Sequence, residues 1–280
     1  IYSVRESPLK KGMIWVGAND GPVHVTTDAG KSWKNVTPNK NIKGGRVDSV
    51  EPSHHNHSKA FVTILRYQLG DWRPYIYRTY DNGNSWDLIT EGIPVDYPVR
   101  VLREDPKREG LLFAGTEFGM FISFDDGNSW QSFQQNLPVT PITDIKIHRN
   151  DVVLSTMGRS FWIMDNIDYL RNFSSNDNDI LYPVANTIRY RNRPSNSNHV
   201  SYPRTSVDID YKITEDSVGE ILIQIMDNEN NLINSYKSID NNANIESYEM
   251  STNEFTFISN SNISKSDGVN RFKWDMRHRG

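Results

Sequence analysis

Apolar residues along this chain come in short runs, rich in Val, Ile, Phe, Tyr and Trp and bounded by Gly, Asn, Asp and Pro. Helical spacing is nearly absent, which predicts an all-β protein. Beyond residue 180, alternation is strict. Val207, Ile209 and Tyr211 alternate with Asp208, Asp210 and Lys212, and Ile221, Ile223 and Ile225 alternate likewise. A period of two gives each strand one buried and one wet face. Strands are predicted there at 207–213, 220–226, 232–238, 254–258 and 270–276.

The first 170 residues repeat. Thr26-Thr27-Asp28-Ala29-Gly30-Lys31-Ser32-Trp33 returns as Thr79-Tyr80-Asp81-Asn82-Gly83-Asn84-Ser85-Trp86 and as Ser123-Phe124-Asp125-Asp126-Gly127-Asn128-Ser129-Trp130. The aspartates lie 53 and 44 residues apart. A degenerate fourth copy, Phe161-Trp162-Ile163-Met164-Asp165, keeps the strand and the Asp but lacks the Gly and Trp. Upstream of these octapeptides lie similar hairpins: 15–25, 113–122 and 153–163, with a longer tip over 67–75 in the second repeat. About four strands in each such period describe a propeller blade. In the octapeptide, Asp accepts backbone N–H bonds across a tight turn, Gly supplies a positive φ, and Trp packs back between strands and buries a large area. Asp28, Gly30, Trp33, Asp81, Gly83, Trp86, Asp125, Gly127 and Trp130 are therefore read as scaffold.

The pattern [Ser/Thr]-x-Asp-x-Gly-x-Ser-Trp is the Asp-box, or BNR repeat, and residues 1–170 resemble the Asp-box propellers of sortilin-type domains, sialidases and xyloglucan-cleaving hydrolases. The segments Ser155-Thr156-Met157-Gly158-Arg159-Ser160-Phe161-Trp162-Ile163-Met164-Asp165 and Gly268-Val269-Asn270-Arg271-Phe272-Lys273-Trp274-Asp275 are similar to the last blade and following β-sandwich of exported bacterial proteins labelled sortilin-like or BNR-repeat glycosyl hydrolase-like. The resemblance implies the C-terminal part of such a protein: a partial Asp-box β-propeller of three to four blades over 1–168, a linker over 169–180 and an immunoglobulin-like β-sandwich over 181–280. Ring closure needs more blades, expected from the parent chain before Ile1 or from a partner chain, since an open arc exposes strand edges. A chain starting at Ile1 is read as a piece of a longer one, whose export signal would lie outside it.

Composition narrows the chemistry. The 280 residues hold no Cys, which removes disulfides, thiolate nucleophiles and Cys-ligated zinc. Net charge is −4 and pI about 6.0, so no nucleic-acid footprint is expected. No apolar run reaches the length of a membrane span. The 7 Trp and 13 Tyr suit a packed core, and an Asn bias of 29 residues is attributed to genome composition. Four sequons, at Asn35, Asn56, Asn172 and Asn262, matter only in a eukaryotic secretory host.

The candidate chemistry sits on the tips between second and third strands, opposite the octapeptide turns: Asn19-Asp20, Tyr67 to Arg73, Glu117-Phe118 and Arg159-Ser160. Carboxylates beside aromatic rings make carbohydrate sites, because rings stack on sugar faces and acids bind hydroxyls. Trp72, Arg73 and Arg159 are the candidate ligand-binding residues. Asp20, Asp71 and Glu117 are candidate carboxylates for a glycosidase acid/base pair, against the plainer reading as solvated tip residues. Arg159 and Glu117 also have a structural reading, Arg159 bonding inner-strand carbonyls at the central channel. Arg46, Arg100 and Arg103 lie near inner strands, and an arginine triad of the sialidase kind stays open, although the Arg-Ile-Pro motif is absent. His54, His55 and His57 fall on the opposite side and read as turn residues, with no metal or cofactor expected. The leading expectation is a non-catalytic recognition or scaffold module of a secreted or cell-envelope protein, outer membrane-associated or periplasmic if bacterial. It would bind a glycan, peptide or protein on its propeller face. The alternative is a sialidase-like or xyloglucanase-like glycoside hydrolase with catalytic carboxylates partly on other blades.

Overall fold

The computed structural model describes residues 1–38, 44–174, 178–189, 205–214, 219–238 and 263–277. The chain divides into two compact units, residues 1–167 and 168–280.

The first unit is a run of up-and-down antiparallel sheets. Sheet one orders β1 (Ser3–Glu6), β2 (Ile14–Gly17), β3 (Val23–Thr26) and β4 (Lys34–Asn35). Sheet two orders β5 (Arg46–Pro52), β6 (Ala60–Leu65), β7 (Ile76–Thr79) and β8 (Asp87–Leu88). Sheet three orders β9 (Val99–Glu104), β10 (Leu112–Thr116), β11 (Gly119–Ser123) and β12 (Gln131–Ser132). Sheet four holds β13 (Ile142–His148), β14 (Asp151–Thr156) and β15 (Phe161–Met164). These are the blades of a partial β-propeller, stacked face to face. One apolar cluster joins Trp15, Val23 and Val25 of the first blade to Val47, Val62 and Ile64 of the second. The next joins Phe61 and Ile76 of the second to Leu102, Leu112 and Phe121 of the third. Interior blades are accordingly buried on both faces, as every residue of β6, β9, β10 and β11 shows. In the first and fourth blades, by contrast, β1 and β15 alternate in exposure, with Phe161 and Ile163 among the exposed residues.

Small residues set the blade spacing. A Cβ on Gly115 would lie 2.7 Å from the Ile142 side chain of the next blade, and one on Gly17 would lie 2.3 Å from Val47. Both glycines therefore allow an inner strand to close on the middle strand of its neighbour.

The octapeptides fold alike. In the first, Gly30 N–H donates to Thr26 Oγ1 (2.9 Å), Ser32 N–H to Asp28 Oδ1 (2.9 Å) and Ser32 Oγ to Asp28 Oδ2 (2.6 Å). The same bonds recur around Asp81 and Asp125 within 0.1 Å. Ala29, Asn82 and Asp126 precede the glycine at φ of 59, 58 and 64°. The Ser32 hydroxyl and N–H hold Asp28 down at about 2, and Ser85 does the same for Asp81. At Asp125 burial opposes the shift, but the Ser129 hydroxyl and N–H outweigh it and the pKa is lowered. A depressed folded pKa stabilises above the ordinary carboxylate value of 3.8 and ceases to as pH falls towards about 2. The thermal midpoint is expected to drop across that window, and a triple Asp28→Asn, Asp81→Asn, Asp125→Asn variant, read by circular dichroism, to lose part of the drop.

The tryptophans depart from the expectation that each is packed away. Trp130 is 5% exposed and Trp86 is partly buried, but Trp33 is 45% exposed. Trp86 Nε1 donates to Val36 O (2.8 Å) and Trp130 Nε1 to Ile89 O (2.9 Å), each on the blade before. Trp33 has no such blade beside it among the described residues.

The second unit opens with a helix, α1 (Asp168–Asn172), inside the stretch expected to be linker. Asp168 Oδ1 accepts from Arg171 Nη1 (2.6 Å), and Leu170 is buried beneath. A five-residue helix escapes a periodicity search. Strand β16 (Ile180–Leu181) pairs with β17 (Val207–Ile213), which pairs along its length with β20 (Gly268–Trp274). Strands β18 (Leu222–Met226) and β19 (Leu232–Lys237) form a hairpin. Ile209, Tyr211, Tyr236 and Phe272 share one apolar cluster, with Ile223 and Ile225 against it. The strand expected over 254–258 and the sequon at Asn262 lie outside the described residues.

Candidate functional site

The tips fall where the repeat places them: 18–22 between β2 and β3, 66–75 between β6 and β7, 117–118 between β10 and β11, and 157–160 between β14 and β15. The second is built around Asp71. Residues Tyr67–Leu69 make one 3-10 turn, ended by Gly70 at φ 75°. Asp71 then accepts from Arg66 Nε (3.1 Å), from Arg73 Nε and Nη2 (both 2.9 Å) and from the Tyr75 hydroxyl (2.7 Å). Arg66 Nη1 also reaches Gly44 O at 2.6 Å, tying the tip to the loop before β5. This cage presents Trp72, 47% exposed, against the Tyr67 ring with centroids 5.8 Å apart.

A band of charges and rings continues across the blades. The Arg100 guanidinium lies 5.9 Å over the Tyr67 ring, and its Nη2 is 2.6 Å from Glu117 Oε1. Its Nη1 is 3.8 Å from Asp48, which holds Arg46 by both oxygens. Arg46 in turn lies 4.5 Å over the Tyr2 ring. Tyr97 and Phe118 form a second ring pair, centroids 4.8 Å apart. Arg100 is buried, and its Nε has no hydrogen-bond partner among the described residues.

This geometry bears on two of the expected residues. Hydrogen bonds from Arg73, Tyr75 and Arg66 hold the Asp71 carboxyl well below the usual range and outweigh its burial. Among the described residues Arg159 bonds no inner-strand carbonyl. Its backbone bonds Thr156 and Trp162 on the two strands of its own hairpin, and the residue is exposed. The carbonyl-binding role belongs to Arg103, whose Nε donates to Ile145 O (2.9 Å) and Nη1 to Leu102 O (2.7 Å). Asp20 is exposed and makes no side-chain bond among the described residues. Arg46, Arg73 and Arg100 each face a carboxylate already, which leaves no open arginine triad among them.

His55 Nε2 contacts Asp105 O (2.8 Å) and His57 Nδ1 contacts Ser58 Oγ (3.1 Å). Among the described residues no group of three His, Asp or Glu is placed to hold a metal ion. Sequence reasoning missed Tyr2 and Asp48, whose partners come from other blades or from inner-strand register. It also missed Glu51, the one carboxyl among the described residues pushed far up, to about 7, by burial. Glu51 lies at the end of β5, away from the tips.

No protein-family model matches this chain, and no curated protein matches it. Solved structures do. YCF48 bound to a D1 peptide is 14% identical over 83% of this chain and 71% of that one, with a TM-score of 0.44. The GH74 enzyme of Niastella koreensis is 11% identical over 75% of this chain, with a TM-score of 0.49. The extracellular domain of the two component system protein BT3049 of B. thetaiotaomicron is 14% identical over 59% of this chain, with a TM-score of 0.43. This chain spans about a third of the GH74 structure's length, 33%. Strand order and register, rather than these likenesses, carry the fold.

Proposed function

We propose that this chain is a non-catalytic recognition module of a secreted or cell-envelope protein, and that the tip face binds a glycan. The octapeptides are Asp-boxes in this reading, the chain is the last part of a sortilin-like BNR-repeat propeller, and the second unit is an immunoglobulin-like spacer or docking sandwich. The observation that carries the proposal is the state of the tip groups. The Asp71 carboxylate is saturated by three side chains and Glu117 is ion-paired with Arg100 at 2.6 Å, while the Trp72 indole stands open on Tyr67. Glycoside cleavage needs a carboxyl kept protonated beside the leaving oxygen. A paired rim with an open ring instead suits a neutral, hydroxyl-rich ligand, stacked on the indole and hydrogen-bonded along its edge.

Binding is tested by titrating a panel of soluble polysaccharides, with chromogenic glycosides assayed in parallel. Trp72→Ala is expected to weaken the polysaccharide bound by the native protein about tenfold or more. No glycoside turnover is expected. Turnover abolished by Glu117→Gln or Asp20→Asn, with binding retained, would establish the hydrolase reading instead.

A further inference from the structure

The inner strands end, on the octapeptide side, around a second polar site that the tip face does not use. A cavity of about 140 Å³ lies there, lined by Arg5 of β1, Glu51 of β5, His54, Arg103 and Glu104 of β9, and Lys146 of β13. Four consecutive blades thus contribute to it. It has room for several waters at about 30 Å³ each.

Register builds this site. Arg5, Glu51 and Arg103 occupy equivalent positions on successive inner strands: each is paired, through its middle strand, with the residue just before an octapeptide. Two guanidinium groups therefore flank one carboxyl.

The charges around it are unequally committed. Arg103 spends its donors on Ile145 O, Leu102 O, Ser49 Oγ and Asp144, with Glu51 at 3.4 Å. Glu104 accepts from Lys59 (3.0 Å), Ser53 Oγ (2.6 Å) and the His54 N–H (2.9 Å). Glu6, on the rim, accepts from Gly12 N–H (2.8 Å). The side chains of Arg5 and Lys146 make no hydrogen bond or ion pair among the described residues, although the Arg5 charge acts on Glu51 at longer range. Two cations with no side-chain hydrogen bond or ion pair among the described residues thus face a hollow whose other fixed charges are paired.

We propose that this cavity binds a small carboxylate anion between Arg5 and Lys146, and that the charge on Glu51 gates its entry. A carboxylate matches a guanidinium fork opposite an ammonium and fits the volume. Ionised Glu51 repels such a ligand at short range, whereas its neutral form can donate to it.

The gate has a direction. Burial pushes Glu51 up to about 7 against the pull of Arg103 and Arg5. Burial likewise lowers His54 below its ordinary 6.5, so His54 stays neutral above that pH. Between those conditions and about pH 8, Glu51 is the cavity group that changes charge, and a bound anion favours its protonated form. Affinity is expected to rise as pH falls.

Sodium acetate is the probe, with sodium chloride as the ionic control, and the His54 imidazole resonance is the readout. At about pH 6.5 acetate should give a saturable shift beyond that of chloride, weakening about fivefold by about pH 8. Glu51→Gln, close in shape, should bind equally at both pH values and at least as tightly as the native protein at the lower. Arg5→Gln should weaken binding about tenfold. Lys146→Gln, at an exposed position, repeats that test should the Arg5 variant fold poorly. Trp72→Ala should leave acetate binding untouched, which separates this site from the tip face. No shift beyond chloride, or a Glu51→Gln variant that keeps the native pH dependence, would overturn the proposal.

Discussion

Lys59→Met should destabilise the first unit by about 3–5 kcal/mol, the cost of removing one partner from a buried ion pair. Lys59 is 1% exposed, an unusual state for a lysine. Its Nζ lies 3.0 Å from Glu104 Oε1 and 2.5 Å from Asp126 Oδ1, both on the third blade, while the lysine immediately precedes β6 of the second. Asp126 also receives Arg78, whose Nη1 reaches its carbonyl at 2.6 Å, and the Tyr80 hydroxyl. One octapeptide residue of the third blade thus collects three side chains of the second. Methionine keeps most of the lysine's volume, so a large loss reports charge and not a void. Glu104 would remain buried without its cation, and that uncompensated charge is the source of the deficit. Lys59→Met with Glu104→Gln should be less destabilised than the sum of the single variants, by about 0.5–3 kcal/mol. Urea unfolding of the single and double variants measures both effects. A Lys59→Met protein as stable as the native one would show that the ion pair holds nothing together.

The parts of the fold legible in the sequence are those whose chemistry is local. The octapeptide closes on itself within eight residues, so Asp28, Asp81 and Asp125 could be assigned to turns without a partner from elsewhere. Placement of the tips follows from the same spacing. The Asp71 cage was also local, since Arg66, Arg73 and Tyr75 are all near neighbours in sequence, and a search for cations around that aspartate would have demoted it as an acid. The pairing of Arg100 with Glu117, the burial of Lys59 and the hollow around Glu51 are different. Each depends on which inner strand stands beside which, and nothing within one repeat announces it.

The three octapeptide tryptophans should respond very differently to the same substitution, although their sequence contexts are nearly identical. Trp130→Ala is expected to cost about 3–5 kcal/mol, as for a large buried aromatic. Its ring belongs to the cluster with Ile89, Ile93 and Phe121, its Nε1 bonds Ile89 O, and its backbone N–H bonds Glu91 O at 2.8 Å. Removing it opens a void and breaks the seam between second and third blades together. Trp86→Ala should fall between the extremes, because Trp86 packs edge-on to Trp15 at 6.1 Å and bonds Val36 O but is only partly buried. Trp33→Ala should change stability by no more than about 0.5 kcal/mol, as at an ordinary surface position. The motif is the same at all three sites. What differs among the described residues is whether a blade lies on the upstream side to receive the indole. Denaturant midpoints of the three single variants order this series. A Trp33 variant as damaged as the Trp130 variant would mean that the octapeptide stabilises by its own turn, and that the stacking of one blade on the next contributes far less than the buried seams suggest.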